Sequence, residues 1–527
     1  MYAKFFIIFV CFSCSSSFAS SYEILGIFSL PAKSHYIVFE PLLIALAERG
    51  HNVTVYNTFP KKYTIPNYNE IDISKCFHLP DILTIPQMKA MTVNGFASND
   101  QIFVFVPSYK EITSCKPIMD LINSTSKYDL LITESFNTDF FLLFGWLFEI
   151  PSVTFNPNSP VTLVAEFKGL PYNPSYIPHF LRGFAPRMNF LERVENFLLN
   201  LYSMYSYRKN SLQVFDRIAK RIFGPDVPPL EEVARNVSLL LLNTHFTMNP
   251  VRPMVPNVVE VAGLNIKSAK PLDNENIEKF INESKHGVVY FCMGSLLRGE
   301  TFPPEKREAF LYAFSKIPQR VLWKWEGDVL PGKSDNIMIS KWMPQRDILA
   351  HPNVKLFISH GGLLGTSEAV YEGVPVLGIP IFGDQRTNIK SLEANGAGEL
   401  LDYNEISKEV VLEKIQRLLN DPKYKENAKL LSDRYRDRPM SPLDTAVYWT
   451  EYVIRHKGAP HLRTAAADMP WYQYLLLDVI AFIVAVLVAG LLIIYYTTKF
   501  ILRAIYGLIC GGGAKKGSSK SDKKKRN

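Results

Sequence analysis

Between Ile24 and Tyr56 the chain changes its residue period three times. Ile24 to Leu30 is an unbroken apolar run and Pro31-Ala-Lys-Ser-His35 a polar turn; Ile37 to Glu48 then repeats helically, and Val53 to Tyr56 is apolar again after a stop at Gly50. A run without polar alternation has no face to turn to water, so it belongs in a sheet covered on both sides. The intervening helix, with Leu42, Leu43, Leu46 and Ala47 on one face, is then the crossover between parallel strands. Such units predict an α/β fold with a doubly wound parallel sheet. Asp129 to Thr133 adds a strand to this half, and a second alternating set follows Pro256. Its strands are expected at Val288 to Cys292, Val321 to Trp325, Ile337 to Ile339, Lys355 to Ser359 and Val374 to Ile379, with helices at Glu305 to Lys316 and Asn388 to Asn395. Two domains, 21–250 and 251–440, joined near residues 247–260, should face a cleft outside the carboxyl ends of their strands.

The two ends read as targeting and anchoring segments. Lys4, the apolar run Phe5 to Phe12 and the small residues around Ala19-Ser20 form a cleavable secretory signal, 1–20. Val479 to Tyr496 carries no charge and, extended by its flanks to 475–497, is long enough to cross a bilayer. Residues 441–472 are expected to be a helical segment leading to it, and 498–527 a tail rich in Lys and Arg. That asymmetry predicts a single-pass type I protein with both domains lumenal. Lys524 and Lys525 stand where a dilysine signal for retrieval to the endoplasmic reticulum is read. Lys4 and the tail cations, offset by Asp478 and Asp522, account for the formal charge of +8, so the domains themselves are balanced and give no ground for nucleic-acid binding. Three cysteines, Cys76, Cys115 and Cys292, fall in the lumenal part; an odd number cannot close into a disulfide framework, which leaves stability to the core. Asn52, Asn123, Asn236 and Asn282 begin glycosylation sequons.

In the proline-interrupted middle, Phe190, Leu191, Val194, Phe197, Leu198 and Leu201 recur at helical spacing. Such a stripe is read first as core-facing; the competing reading is a helix lying in a bilayer interface.

The stretch with most chemistry runs from Trp342-Met-Pro-Gln345 through Ser359-His360-Gly361-Gly362-Leu-Leu-Gly365-Thr-Ser-Glu368 to Phe382-Gly-Asp384-Gln385. A strand ending at His360, two glycines and a helix stopped by Gly373 expose backbone N–H groups and the positive end of a helix dipole, a natural seat for a diphosphate. Trp342 offers a flat face, Gln345 a donor and acceptor pair, and Glu368, Asp384 and Gln385 groups for sugar hydroxyls. The whole run resembles the donor signature of the UDP-glycosyltransferase family, and the resemblance extends over essentially the whole chain. It implies the GT-B fold of two Rossmann-like domains and transfer of a sugar from a UDP-sugar to a small lipophilic acceptor. By that resemblance Trp342 stacks on uracil, Gln345 and Glu368 hold ribose, and Ser295, His360, Gly362 and Gly365 hold the diphosphate. Asp384 and Gln385 then hold the transferred hexose, and Lys324 stands where many members carry Arg.

On the acceptor side His35, on the turn after the first strand, is the candidate general base, since an unperturbed imidazole suits proton removal near neutrality. Glu134 and Asp139 are its candidate partners, and the family's aspartate-bearing segment favours Asp139 in Thr138-Asp139-Phe-Phe. A base without a second carboxylate nucleophile predicts a single displacement with inversion. No Asp-x-Asp occurs, so no cofactor or metal is expected beside the UDP-sugar co-substrate. The donor is expected to be UDP-glucose, with UDP-glucuronate as the alternative; the rival from another class is a non-catalytic type I membrane binding protein of the same fold.

Overall fold

A computed structural model describes residues 21–510 apart from 62, 79–83, 91 and 93. The signal segment and the lysines Lys524 and Lys525 lie outside these residues. Among the described residues the first sheet has seven parallel strands: β1 (Glu23–Phe28), β2 (Asn52–Asn57), β3 (Tyr68–Asp72), β4 (Leu130–Glu134), β5 (Ser152–Asn156), β6 (Leu239–Leu242) and β7 (Val258–Glu260), in the order β3-β2-β1-β4-β5-β6-β7. The second has six, β8 (Val288–Cys292), β9 (Arg320–Lys324), β10 (Ile337–Ser340), β11 (Val354–Ser359), β12 (Val376–Gly378) and β13 (Gly398–Leu400), in the order β10-β9-β8-β11-β12-β13. Each sheet starts in its middle, winds to one edge and then jumps back across. The switch points therefore lie between β1 and β4 and between β8 and β11, where strand ends leave a crevice.

The apolar runs behave as their composition requires. In β1, Leu25 and Ile27 enter one core and Ile24 and Phe28 the core on the opposite face; in β8, Val289 and Phe291 are likewise set against Val288 and Tyr290. Alternate side chains thus bury into two helical layers, which is why neither strand shows a polar alternation.

Several expectations need correction. β7 still pairs with β6, so the first sheet ends ten residues past the expected boundary at 250. The segment expected only to lead toward the membrane forms the helix Pro442–Arg455, which returns to the first domain. Its Ala446, Val447, Val453 and Ile454 share a core with β1, and Glu451 pairs with Arg49 at 2.5 Å. Cys76 and Cys115 form a disulfide, leaving Cys292 buried and free, so the core is not the sole constraint on the chain. The stripe on the helix Phe190–Tyr207 is exposed rather than core-facing, because the buried face of that helix is built from Asn196, Asn200, Ser203 and Ser206 together with Leu199 and Tyr207. All four sequon asparagines are exposed.

From Asp468 on, the described residues form a separate unit. Within it the helix Leu477–Cys510 is 34 residues long and apolar enough to cross a membrane. At ~1.5 Å per residue it is about 51 Å long and runs well beyond the expected end at 497.

Candidate functional site

His35 sits in the first turn of the helix Lys33–Glu48, which begins at the carboxyl end of β1. Its neighbour across the switch point is β4, whose last residue is Glu134. Adjacent parallel strands end together, so the two side chains meet: His35 Nδ1 donates to Glu134 Oε1 at 2.5 Å. Phe136 lies edge-on to the imidazole at 5.3 Å. Burial pushes the Glu134 carboxyl above its usual range, and the charge and hydrogen bond of His35 pull against it. With Nδ1 committed to the carboxylate, Nε2 is the nitrogen left to accept a proton.

Asp139 does not take this place. It begins a turn of 3-10 helix beyond β4 and accepts hydrogen bonds from the Tyr207 hydroxyl and, at 3.5 Å, from Ser211. Burial raises its pKa to about 6 against those hydrogen bonds, which lower it. The partner of His35 is therefore Glu134, the residue at the strand end, where the switch-point rule places ligand-facing groups.

In the second domain the strand, Gly-Gly, helix arrangement is formed as expected. β11 ends at Ser359, Gly361 has φ +84, and Gly362 caps the helix Leu363–Glu372 without any side chain bonded to its first amides. Those N–H groups are free to meet an anion. His360 is caged between glycines: a Cβ on Gly294 would stand 2.5 Å from its Cε1, and one on Gly362 would strike Nε2. Burial, helped by the charge of Lys324, holds the imidazole down to about 4, so it is neutral. Its Nδ1 is buried with no hydrogen-bond partner. An unpaired buried ring nitrogen beside free helix amides fits a diphosphate oxygen.

Gln345 Nε2 donates to Glu368 Oε2 at 2.7 Å, which joins the two candidate ribose residues, while burial raises the Glu368 carboxyl. Gly365 lets Gln345 approach, since a Cβ there would come to 3.1 Å of its Nε2. Trp342 is exposed, and Lys33 of the first domain stands over its ring at 5.5 Å. Ser295 is exposed on the turn after β8. Asp384 is half-buried; burial raises its carboxyl, Asn388 stabilises the ion, and the charge of His35 acts on it from the other domain. Gln385 departs from expectation in one respect: its carbonyl oxygen already accepts from the backbone N–H groups of Ile381 and Phe382, leaving the amide NH₂ for a ligand.

Asn388, passed over in the sequence reading, bridges the two parts of the site. Its Nδ2 donates to Asp384 Oδ2 and to the Gly361 carbonyl, each at 3.0 Å. The spacing of four from Asp384 on a helix was the available signal. Lys324 is held by Glu326 at 2.7 Å. Among the described residues no group of three or more His, Cys, Asp or Glu side chains converges to ligate a metal ion.

The arrangement brings a carboxylate-backed imidazole and an anion-binding helix end to facing domains. The model of the family described as UDP-glucoronosyl and UDP-glucosyl transferase matches residues 27–511. The chain belongs to this family, and it is a UDP-glycosyltransferase. It is 61% identical over 503 residues to UDP-glycosyltransferase UGT5 of Dactylopius coccus, covering 94% of this chain and 95% of that one. It is 41% identical to UDP-glucosyltransferase 2 of the same organism, over 98% of both chains, and 35% identical to human UDP-glucuronosyltransferase 1A5, over 87% and 84%. Among solved structures, the calicheamicin glycosyltransferase CalG4 superposes with a TM-score of 0.55 at 16% identity, covering 82% of this chain and 99% of that one. That likeness shows the GT-B fold.

Proposed function

We propose that this UDP-glycosyltransferase transfers glucose from UDP-glucose to a hydroxyl of a small lipophilic acceptor, with inversion at the anomeric carbon. The observation that carries the mechanism is the His35–Glu134 pair, joined at 2.5 Å where β1 and β4 end together. The acceptor oxygen attacks the anomeric carbon as its proton passes to His35 Nε2, and Glu134 stabilises the imidazolium that forms. The bond from the anomeric carbon to the UDP oxygen breaks, and its electron pair leaves on the diphosphate. The amides at the start of the helix Leu363–Glu372 and the neutral His360 stabilise that departing charge. Trp342 stacks on uracil, Gln345 and Glu368 hold ribose, and Asp384 with the Gln385 amide holds the hexose. The scheme calls for no divalent cation.

A neutral hexose is favoured over a uronate because the two cations beside the hexose residues are engaged with carboxylates, Lys324 with Glu326 and Arg386 with Asp402 at 3.0 Å. The relative at 41% identity is named a glucosyltransferase. Placement of the domains in the lumen of the endoplasmic reticulum follows in this proposal from the signal segment, the apolar helix and the basic tail. Detergent-solubilised enzyme given UDP-glucose, UDP-glucuronate and other UDP-sugars with a phenolic panel should yield β-glucosides fastest. Faster glucuronide formation would overturn the donor assignment, and an α-linked product by NMR the single displacement.

A further inference from the structure

The stretch from Ile381 to Asn388 carries both groups assigned to the hexose, Asp384 and Gln385, and it is held from outside its own domain. Thr92, in the first domain, donates from Oγ1 to the Ile381 carbonyl at 3.0 Å. Thr387 donates from Oγ1 to the carbonyl of Phe180, also in the first domain, at 2.6 Å. Beside that bond Gly183, at φ +64, allows a close approach: a Cβ there would stand 3.1 Å from Cγ of Arg386. Along the chain the two grips enclose Asp384 and Gln385.

The Thr92 grip stands on packed structure. Just ahead of it the helix Ile85–Ala90 docks on the second domain. Ile85 is buried in one core with Leu297, Phe302, Ile381 and Tyr403, and its N–H donates to Thr301 Oγ1 at 3.1 Å. The Cys76–Cys115 disulfide closes the stretch of chain that carries this helix, and Cys115 lies in the first-domain core with Leu25 and Leu131. Both grips then reach the hexose groups through the backbone. Gln385 Oε1 accepts from the amides of Ile381 at 2.8 Å and Phe382 at 3.1 Å, so its NH₂ moves with the residue whose carbonyl Thr92 holds. Thr387 stands one residue before Asn388, which holds Asp384 Oδ2 at 3.0 Å. The ribose pair differs, since Gln345 and Glu368 bond to each other within the second domain. The Thr92 hydroxyl also has carbonyls of its own helix in reach, Lys89 at 3.2 Å and Met88 at 3.3 Å. The bond between domains can therefore break and re-form without stranding a donor.

We propose that Thr92 and Thr387 are positioning residues through which the first domain shapes the hexose site of the second, so that recognition of the sugar, unlike that of the nucleotide, depends on the two domains being together. This rests on the assignment of Asp384 and Gln385 to the hexose. The test measures kcat/KM for UDP-glucose at saturating phenolic acceptor and the calorimetric Kd of UDP, in the full chain and in its Thr92→Val, Thr92→Ser, Thr387→Val and Asp384→Asn variants. Valine keeps the shape of threonine and removes only the hydroxyl, and serine keeps the hydroxyl. Loss of one neutral hydrogen bond is worth about three- to tenfold, so each valine variant should lose that much kcat/KM while the Kd of UDP and the thermal midpoint stay at the parent values. Thr92→Ser should restore the parent kcat/KM. Loss of UDP affinity in step with kcat/KM would overturn the proposal, as would a serine variant as impaired as the valine one. So would valine variants equal to the parent while Asp384→Asn loses kcat/KM and keeps its UDP affinity. An Asp384→Asn enzyme with unchanged kcat/KM would instead strike the hexose assignment, and the proposal with it.

Discussion

Replacing Glu134 by Gln isolates what its charge does for His35. The amide is isosteric, and its carbonyl still accepts from Nδ1, so the tautomer and ring position survive; only the negative charge is removed. An imidazolium hydrogen-bonded to a carboxylate at 2.5 Å places charge centres about 4 Å apart, worth about 4 kcal/mol at an effective dielectric constant near 20. The acceptor's proton is partly transferred in the transition state, so about 2–4 kcal/mol of this is realised, roughly a 30- to 1,000-fold loss of kcat. Initial rates of UDP release should be measured with an aliphatic alcohol acceptor at saturating donor, and UDP affinity by calorimetry. Glu134→Gln should lose turnover with UDP affinity unchanged, whereas Asp139→Asn, whose carboxyl serves Tyr207, should stay within a fewfold of the parent. A Glu134→Gln enzyme within threefold of normal, or an Asp139→Asn enzyme equally impaired, would refute the reasoning.

Asp139 should show itself in stability instead. Its folded-state pKa, raised from 3.8 to about 6, means the folded chain holds this proton more tightly than the unfolded one, so stability is lost as pH rises from about 4 to 6, by up to about 3 kcal/mol. Asp139→Asn should remove that slope and leave the protein at least as stable at pH 7, read as thermal midpoints at pH 4.5 and 7. His360→Ala should weaken UDP binding roughly tenfold or more by calorimetry, the value of about 1.5–3 kcal/mol for a hydrogen bond to a charged group, with no change in circular dichroism. Breaking the Cys76–Cys115 bridge, which spans a sequence separation of 39, should cost up to about 4 kcal/mol, measured by denaturant unfolding of Cys76→Ser/Cys115→Ser.

Burial on both faces made the central strands legible, and the Gly-Gly turn announced the helix behind it. Five strands were passed over: β3, Tyr-Asn-Glu-Ile-Asp, is polar, β7 and β13 are three residues long, and β5 and β6, though buried throughout, are runs of only five and four residues. Spacing along the chain could not choose between Glu134 and Asp139, because both follow the same strand; the choice rests on where β4 stops relative to β1. The helix Phe190–Tyr207 shows the limit of periodicity. Its stripe was plain, but its direction depends on partners such as Pro174, Thr162 and Asn99, which are brought to its polar face only by the fold. Pairing of Cys76 with Cys115 likewise depends on fold geometry, since an odd count of cysteines excludes only complete pairing.

Asn388 makes nucleotide affinity and sugar choice heritable together. One amide group ties the carboxylate assigned to the hexose to the carbonyl of the turn assigned to the diphosphate. A substitution at 384 that suits a different sugar also releases half of that tie, and the turn must find another support. Changes of donor preference at this position should therefore be strongly epistatic with residue 388 and arise in evolution as pairs, whereas the acceptor side, built on another domain, is free to diverge one residue at a time.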